Sequence, residues 1–455
     1  MRRHWRAWVL WLGLAVAGAS HAVGKIESAW GYGAAANSAS ASDSLPLYLG
    51  AKAMHQGLDS TTQESLQTVY KASDVRVTKA LFSVLYPPSM HLLLQPLAGL
   101  SHKGFLHYWR QILMLLTLLG LAGAGLVGVR GRRRPLAVMI GVGGGLTVFP
   151  FFLESQLALG QANLAIAGCF GIAMGLASLG GLRTVGAVAA LGAGAKLVPA
   201  IMFWPLLWGL RIRALVTGAV VGLVLLGLTM TGVPLGRIIT NVLDTLAFQG
   251  AVEPHWLHDP SLPDWGRFVG ILKRPALTLL SLVLVAWSQW SHRHLPGRAR
   301  ESLSVGIALL AVALGADGAG AAAPYATLAM PGAAMLLTWP FAERASRLSW
   351  LGAACGCAVV ALLPGGLEAP IHDTEVRLVA GCTLIWVGVA ARLVTLTRPW
   401  SGRAASGGLA LVVLALVYTS IYTWRPPYGG PKTLPDAAPG SMTTPATPPV
   451  APVPH

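Results

Sequence analysis

Charge is what this sequence has least of. Only 11% of its 455 residues are Asp, Glu, Lys or Arg, where an ordinary soluble domain carries about 25%. The shortage is sharpest for acids, 17 against 33 Lys and Arg. Cysteine is scarce as well. Cys169, Cys355, Cys357 and Cys382 lie in apolar segments with no C-x-x-C pair, so no disulfide framework or thiolate metal site is indicated, and packing is their reading. No G-x-G-x-x-G follows a strand-like run, which leaves out a nucleotide-binding Rossmann unit. These absences exclude a water-soluble enzyme built around a nucleotide.

What is present is apolar. Residues of hydrophobic type make up 54% of the chain, in Leu/Ala/Gly/Val runs close to the ~20 residues that cross a bilayer as a helix. They lack the alternation of a membrane β-barrel. The expected class is an all-α polytopic membrane protein. The net charge of +16 does not point to nucleic acid, because no basic face is interleaved with aromatics. Its basic residues sit in short loops: Arg130 to Arg134, Arg211 and Arg213, His292 to Arg300, Arg344 and Arg347, Arg398 and Arg403. That is the positive-inside pattern. Asp43, Asp59, Glu64, Glu253, Asp259, Asp264, Glu368 and Asp373 then fall on the opposite side.

Taken in order, residues 1–24 read as a signal anchor with its N-terminus in the cytoplasm. Residues 25–104 form a first outer loop followed by a Tyr-Pro-Pro segment broken by Pro87, Pro88 and Pro96, either a full span or a re-entrant one. Leu45, Leu49, Ala53 and Met54 recur at helical spacing, which predicts an amphipathic helix on the membrane surface. Residues 105–423 carry the multi-span bundle, interrupted by a second outer loop at 233–273. Within it, 183–209 is one span or two half-helices around Lys196 and Pro199. Two further spans are read at 347–365 and 405–423. Residues 424–455 are Pro/Ala/Thr-rich and read as a disordered tail. The expected count is about 11 to 13 spanning helices.

The stretch that organises the rest runs from Phe149 to Pro199. Glu154, Gln156, Gln161 and Asn163 stand at one end of it and Lys196 at the other, inside otherwise apolar sequence. Polar groups are expensive in hydrocarbon, so such a set reads as a lined, wet site. Each candidate also has a plainer reading. Asp43 at the outer surface could be a general base, or an N-cap for the helix that follows. Gln161 and Asn163 could hydrogen-bond sugar hydroxyls, or act as amide glue between helices. Lys196 could hold a phosphate as a point charge, or snorkel to the interface. Pro199 frees a carbonyl near Ala195 and predicts a kink. His255 and His258, in Glu253-Pro-His-Trp-Leu-His-Asp259, suggest an acceptor-contacting loop more readily than a metal cluster.

An outer loop with Asp43 and Tyr48, the run Tyr86-Pro87-Pro88, Gly160-Gln-Ala-Asn163, Lys196-Leu-Val-Pro199 and Pro260-Ser261-Leu262 follow one another in that order. Together they resemble glycosyltransferase family 87 (DUF2029). That group of GT-C enzymes includes polyprenol-phosphate-mannose-dependent mannosyltransferases of mycobacteria. The resemblance covers roughly residues 1–340. It implies a GT-C bundle with a long first outer loop containing amphipathic helices. It also implies inverting transfer of a mannose-like hexose from a polyprenyl-phosphate donor to a lipid or glycan acceptor, on the outer face of a bacterial plasma membrane.

On this resemblance Asp43 is the general base, Lys196 lies near the donor phosphate, and Gln161 and Asn163 line the cavity. Tyr48 and Tyr86 belong to the same donor and substrate set. Many members have Trp or His where this chain has Ala323-Pro324-Tyr325-Ala326, so the matching contact falls to Tyr325, His255 or His258. The implied partners are the lipid-linked sugar donor, the acceptor and membrane lipids. No cofactor is implied, and a divalent metal stays open. Two other classes compete, a carrier or flippase for lipid-linked sugars and a non-catalytic membrane scaffold.

Overall fold

The computed structural model describes residues 44–73, 75, 86–129, 131–148, 153, 156–157, 159–251, 275–319, 323–338 and 371–397. Asp43, Glu154, His255, His258, the spans read at 347–365 and 405–423, and the tail 424–455 lie outside them, as do Cys355 and Cys357. Among the described residues the regular structure is helical throughout, with no strand.

An outer layer comes first. It consists of α1 (Leu45–His55), α2 (Gln63–Lys71) and α3 (Pro88–Leu94), with α1 packed on both others. Helix α2 is amphipathic: Leu66 and Val69 are buried while Gln63, Glu64, Gln67 and Lys71 are exposed. Thr62 starts it by accepting the Ser65 amide at 3.3 Å, which satisfies one of the orphan donors of a first turn. Helix α1, expected to lie on the membrane surface, is instead buried at eight positions, Tyr48 and Met54 among them. Its small residues explain this. The His91 ring of α3 lies where a side chain on Gly50 would stand, so the two helices approach closely. Helix α3 has seven residues, about 10 Å at 1.5 Å per residue, too short to cross a bilayer.

The bundle proper follows with α4 (His102–Gly125), α5 (Arg134–Val148), α6 (Asn163–Leu179), α7 (Leu182–Ala195), α8 (Phe203–Trp208), α9 (Ile212–Met230), α10 (Leu235–Ala251), α11 (Ala276–His292), α12 (Pro296–Ala319), α13 (Met330–Thr338) and α14 (Ile371–Thr397). Helices α4, α9 and most of α12 are long and apolar enough to span a membrane, and five shorter apolar helices accompany them. The chain is thus an all-α polytopic membrane protein. Valines and leucines of α9 such as Val216, Val220, Leu223 and Leu228 are exposed, as lipid-facing residues are when the surrounding solvent is hydrocarbon. Helix α10 forms inside the segment read as an outer loop. Its Leu235, Ile239 and Leu243 make an exposed stripe at a spacing of four, the signature of a helix lying in an interface. Arg237, Asn241 and Asp244 on the same helix keep its hydropathy too low to read as a span.

The segment 183–209 is two pieces. Helix α7 stops at Ala195, Lys196 is extended (φ −159°, ψ 140°), and a 3-10 turn Val198–Met202 leads into α8. Proline without an amide hydrogen cannot continue the α ladder, so the break falls where Pro199 stands.

Helices α4 and α6 form the tightest pair. A Cβ on Gly120 would stand 2.7 Å from the Cα of Gly168, and one on Gly175 would stand 2.6 Å from the Cα of Gly123. Backbone touches backbone here, the small-residue packing by which helices associate in lipid. Connectivity then sorts the bundle into two ends. Asn163, Lys196 and Tyr325 meet at one. The turn after α6, the start of α9 and the link from α11 to α12 gather at the other.

Candidate functional site

The first motif is built on a helix terminus. The helical stretch ending at Leu159 closes with Gly160 at φ +67°, the left-handed region that glycine reaches without Cβ strain. The Gly160 amide reaches the Leu157 carbonyl at 3.3 Å and the Gln161 amide reaches the Gln156 carbonyl at 3.0 Å. Those two bonds are the Schellman pattern. Two side chains of α4 finish the terminus. Trp109 Nε1 donates to the Gly160 carbonyl at 2.8 Å, and Arg110 Nε donates to the Leu157 carbonyl at 2.7 Å. The turn thereby hands the chain to α6 with Gln161 and Asn163 fixed in place.

From the other side, Lys196 arrives at the broken end of α7. Its ammonium donates to Asn163 Oδ1 at 2.9 Å, and Asn163 Nδ2 donates to Gln161 Oε1 at 3.2 Å. The Tyr325 ring, on the 3-10 turn before α13, lies 4.9 Å below the same ammonium, within cation–π range. Four residues singled out from sequence are therefore one cluster. Asn163 is 6% exposed, while Gln161, Lys196 and Tyr325 are half-buried. A lysine ammonium has three donors, and Asn163 takes one. The cluster can offer positive charge to an anion and amide groups to hydroxyls.

The remaining candidates sit differently. Tyr48 is 1% exposed. Its hydroxyl donates to the Leu100 carbonyl at 3.2 Å and accepts from Lys52 Nζ at 2.8 Å, and its ring packs on His102 and Phe105. That hydroxyl is engaged in joining α1 to the start of α4. Tyr86 is buried at the entry to α3. Three residues on, Ser89 Oγ donates to the Gly194 carbonyl at 2.6 Å, which ties the Tyr-Pro-Pro-Ser turn to the last turn of α7. Gln156 is fully buried, and neither polar atom of its amide has a hydrogen-bond partner among the described residues. Among the described residues no group of three or more His, Cys, Asp or Glu converges as a metal site would.

Ser44 connects the outer loop to the cluster. It is wholly buried, and a Cβ on Gly160 would stand 2.8 Å from its own Cβ. Its hydroxyl lies 3.5 Å from His102 Nε2. The residue after Asp43 thus packs on the glycine before Gln161. An apolar groove of about 540 Å³ is lined by Ala200, Ile201, Phe203, Trp204, Leu215 and Leu282 among others, with none of the four cluster residues in its lining. It begins four residues after Lys196. Trp109, Arg110, Ser44 and Ser89 were not read from sequence as site residues. The available signal was an arginine inside an apolar span, which requires a partner.

The model of glycosyltransferase family 87 matches residues 84–315, slightly more than half of the chain. No curated protein and no solved structure matches it.

Proposed function

We propose, from the premise that the chain belongs to glycosyltransferase family 87 and is a membrane glycosyltransferase, that it moves a mannose-like hexose from a polyprenyl phosphate to a lipid or glycan acceptor. The reaction takes place at the outer face of a bacterial plasma membrane, in the multi-pass frame read from the sequence. The observation that carries this reading is the Lys196–Asn163–Gln161 chain with the Tyr325 ring under the ammonium, followed in the chain by an apolar groove whose lining starts at Ala200. A donor with a phosphate head, a sugar and a long hydrocarbon tail matches cation, amides and groove in turn.

In this mechanism Asp43 accepts the proton of an acceptor hydroxyl as that oxygen attacks the anomeric carbon. The bond from that carbon to the phosphate oxygen breaks with its electron pair going to the phosphate, and the configuration inverts. Lys196 stabilises the charge gathering on the leaving phosphate. Gln161 and Asn163 orient the sugar by hydrogen bonds to its hydroxyls. Ser44, which follows Asp43 in sequence, packs on Gly160. That contact of Ser44 with the amide motif supports reading the base close to the sugar site. In the Tyr325 segment the ring takes the place that Trp or His has in other members. The initial set of donor and acceptor contacts also includes Tyr48, Tyr86, His255 and His258.

The test is transfer of radiolabelled sugar from polyprenyl-phosphate hexoses in membranes carrying the wild-type protein, Asp43→Asn or Lys196→Met at matched expression. Loss of transfer in the first with the donor still bound, and weakened donor binding in the second, are the expected results. Full transfer by Asp43→Asn would place the base elsewhere. Transfer by neither variant nor wild type with any donor would favour a carrier or scaffold.

A further inference from the structure

At the end of the bundle opposite Lys196, three connections meet. They are the turn at Gly180 after α6, the Gly209–Arg211 link into α9, and the passage from α11 into the first turns of α12, which carries Arg293 and Arg300. Helix α6 is 17 residues long, so this end lies about 25 Å from the amide cluster.

Arg211 is not an ordinary loop arginine. It is half-buried, and its Nε is sealed from solvent with no hydrogen-bond partner among the described residues. Burial, and after it the charge of Arg300, hold its pKa below the usual value. The Arg300 guanidinium lies over Gly180, with Nη1 2.9 Å from where a Cβ on that glycine would stand. Gln289 of α11 is fully buried. Its amide nitrogen donates to Ser302 Oγ at 2.7 Å, while its Oε1 has no partner among the described residues. A Cβ on Gly209 would stand 3.1 Å from that oxygen and 3.4 Å from Arg211 Nε, so the two unmatched polar atoms flank one glycine.

The acid nearest in sequence, Glu301, is already paired with Arg392. Neither Arg211 nor Arg300 pairs with a carboxylate among the described residues. The positive-inside rule accounts for basic loops but not for two arginines near enough for the charge of one to act on the other, with one nitrogen sealed and unmatched. Like charges so placed disfavour one another until an anion joins them.

The surroundings say where that anion comes from. Trp208 and Trp290 meet edge to face with centroids 6.4 Å apart, and Arg293 stacks on Trp290 at 3.7 Å. Both tryptophans, Leu210 and Ile212 are exposed. Exposed indoles beside arginines belong at a membrane–water boundary, and a basic pocket between helices at that depth takes a lipid head group.

We propose that the phosphate of an anionic membrane phospholipid binds between Arg211 and Arg300, with its acyl chains against Trp208 and Trp290. A guanidinium pair recognises phosphate oxygens by paired N–H donors. The lipid staples three connections that the protein alone leaves with unmatched charge.

The experiment places purified protein in nanodiscs of phosphatidylcholine, with or without phosphatidylglycerol, and measures the thermal midpoint together with lipid retained in native mass spectrometry. Phosphatidylglycerol is expected to raise the wild-type midpoint and to remain bound. Arg211→Gln and Arg300→Gln should each lose more than half of that gain, while Arg298→Gln, at the same end of α12 and exposed, should keep it. Midpoints in phosphatidylcholine alone establish that each variant is folded, and exposed Arg300 supplies the test if Arg211→Gln fails to fold. Equal loss in Arg298→Gln would reduce the effect to diffuse surface charge and overturn the proposal. So would an equal gain from inorganic phosphate in phosphatidylcholine discs, which would mean a free anion.

Discussion

Asn163 holds the Lys196 ammonium through its Oδ1 at 2.9 Å, joining the first residue of one helix to the residue just past the end of another. The bond spans a break in each helix. It therefore aims the lysine without help from a regular backbone. Asn163→Ala removes an acceptor from a charged donor, a bond worth about 1.5–3 kcal/mol. The expected result is a loss of roughly 10- to 100-fold in donor kcat/KM, with the protein still folded. Asn163→Asp, which keeps the acceptor and adds charge, should hold the lysine but compete with the donor phosphate. It should then raise donor KM more than it lowers kcat. A variant series in a transfer assay reads both.

Gly160 combines a left-handed backbone with a crowded Cα, whereas Gly57 has the backbone alone. Gly57 adopts φ +73° with nothing near a Cβ, while a Cβ on Gly160 would meet Ser44 at 2.8 Å and Leu106 at 2.9 Å. Gly57→Ala should cost only the conformational term, about 1–2 kcal/mol. Gly160→Ala should cost a further 1–3 kcal/mol of overpacking and also reduce transfer, because the shift passes to Gln161. Thermal midpoints of the two variants isolate the packing term.

A parallel contrast separates buried from lipid-facing glycines. A Cβ on Gly171 would run into the backbone of Gly120, while nothing lies within 4 Å of one on Gly222. Gly171→Ala is expected to lower the thermal midpoint sharply. Gly222→Ala should leave it unchanged or raise it, since alanine favours a helix by up to about 1 kcal/mol. Equal effects would show that the α4–α6 contact is not close.

His91 makes the outer layer sensitive to acid. It is buried in α3, outside the spans, with Nδ1 3.1 Å from Ser60 Oγ, and burial lowers its pKa from 6.5 to about 4. The folded state holds the neutral ring, and the unfolded chain takes up a proton first as pH falls. Stability is therefore full above about pH 6.5 and is lost progressively down to about pH 4. The term is on the order of 3 kcal/mol. His91→Leu should flatten that part of the stability–pH curve, as read by thermal midpoints at pH 7.5 and pH 5.

Much of the cluster was legible because polarity is conspicuous in apolar sequence. Lys196, Gln161 and Asn163 stand out by that contrast, and Pro199 marked the break. Tyr325 came from the resemblance, since a lone tyrosine carries no signal of the cation beside it. What sequence could not convey were contacts to backbone carbonyls. Trp109 and Arg110 act on Gly160 and Leu157 about fifty positions away, and a carbonyl has no letter. Helix α1 was legible as a helix but not as a buried one, because its neighbours in space, His91 and Phe105, come from later segments. Helix α10 escaped because its polar residues made it look like a loop.

The backbone contact between α4 and α6 also fixes a length. Asn163 precedes Gly168, Gly171 and Gly175 on one continuous helix, and those glycines register against Gly120 and Gly123. One residue added or removed between Asn163 and Gly168 would turn the asparagine by about 100° around the helix while the glycine contact stayed where it is. The amide would then face away from Lys196. The number of residues in that short interval is thus a ruler for the site, and the helix tolerates exchange of its side chains far better than a change in its count.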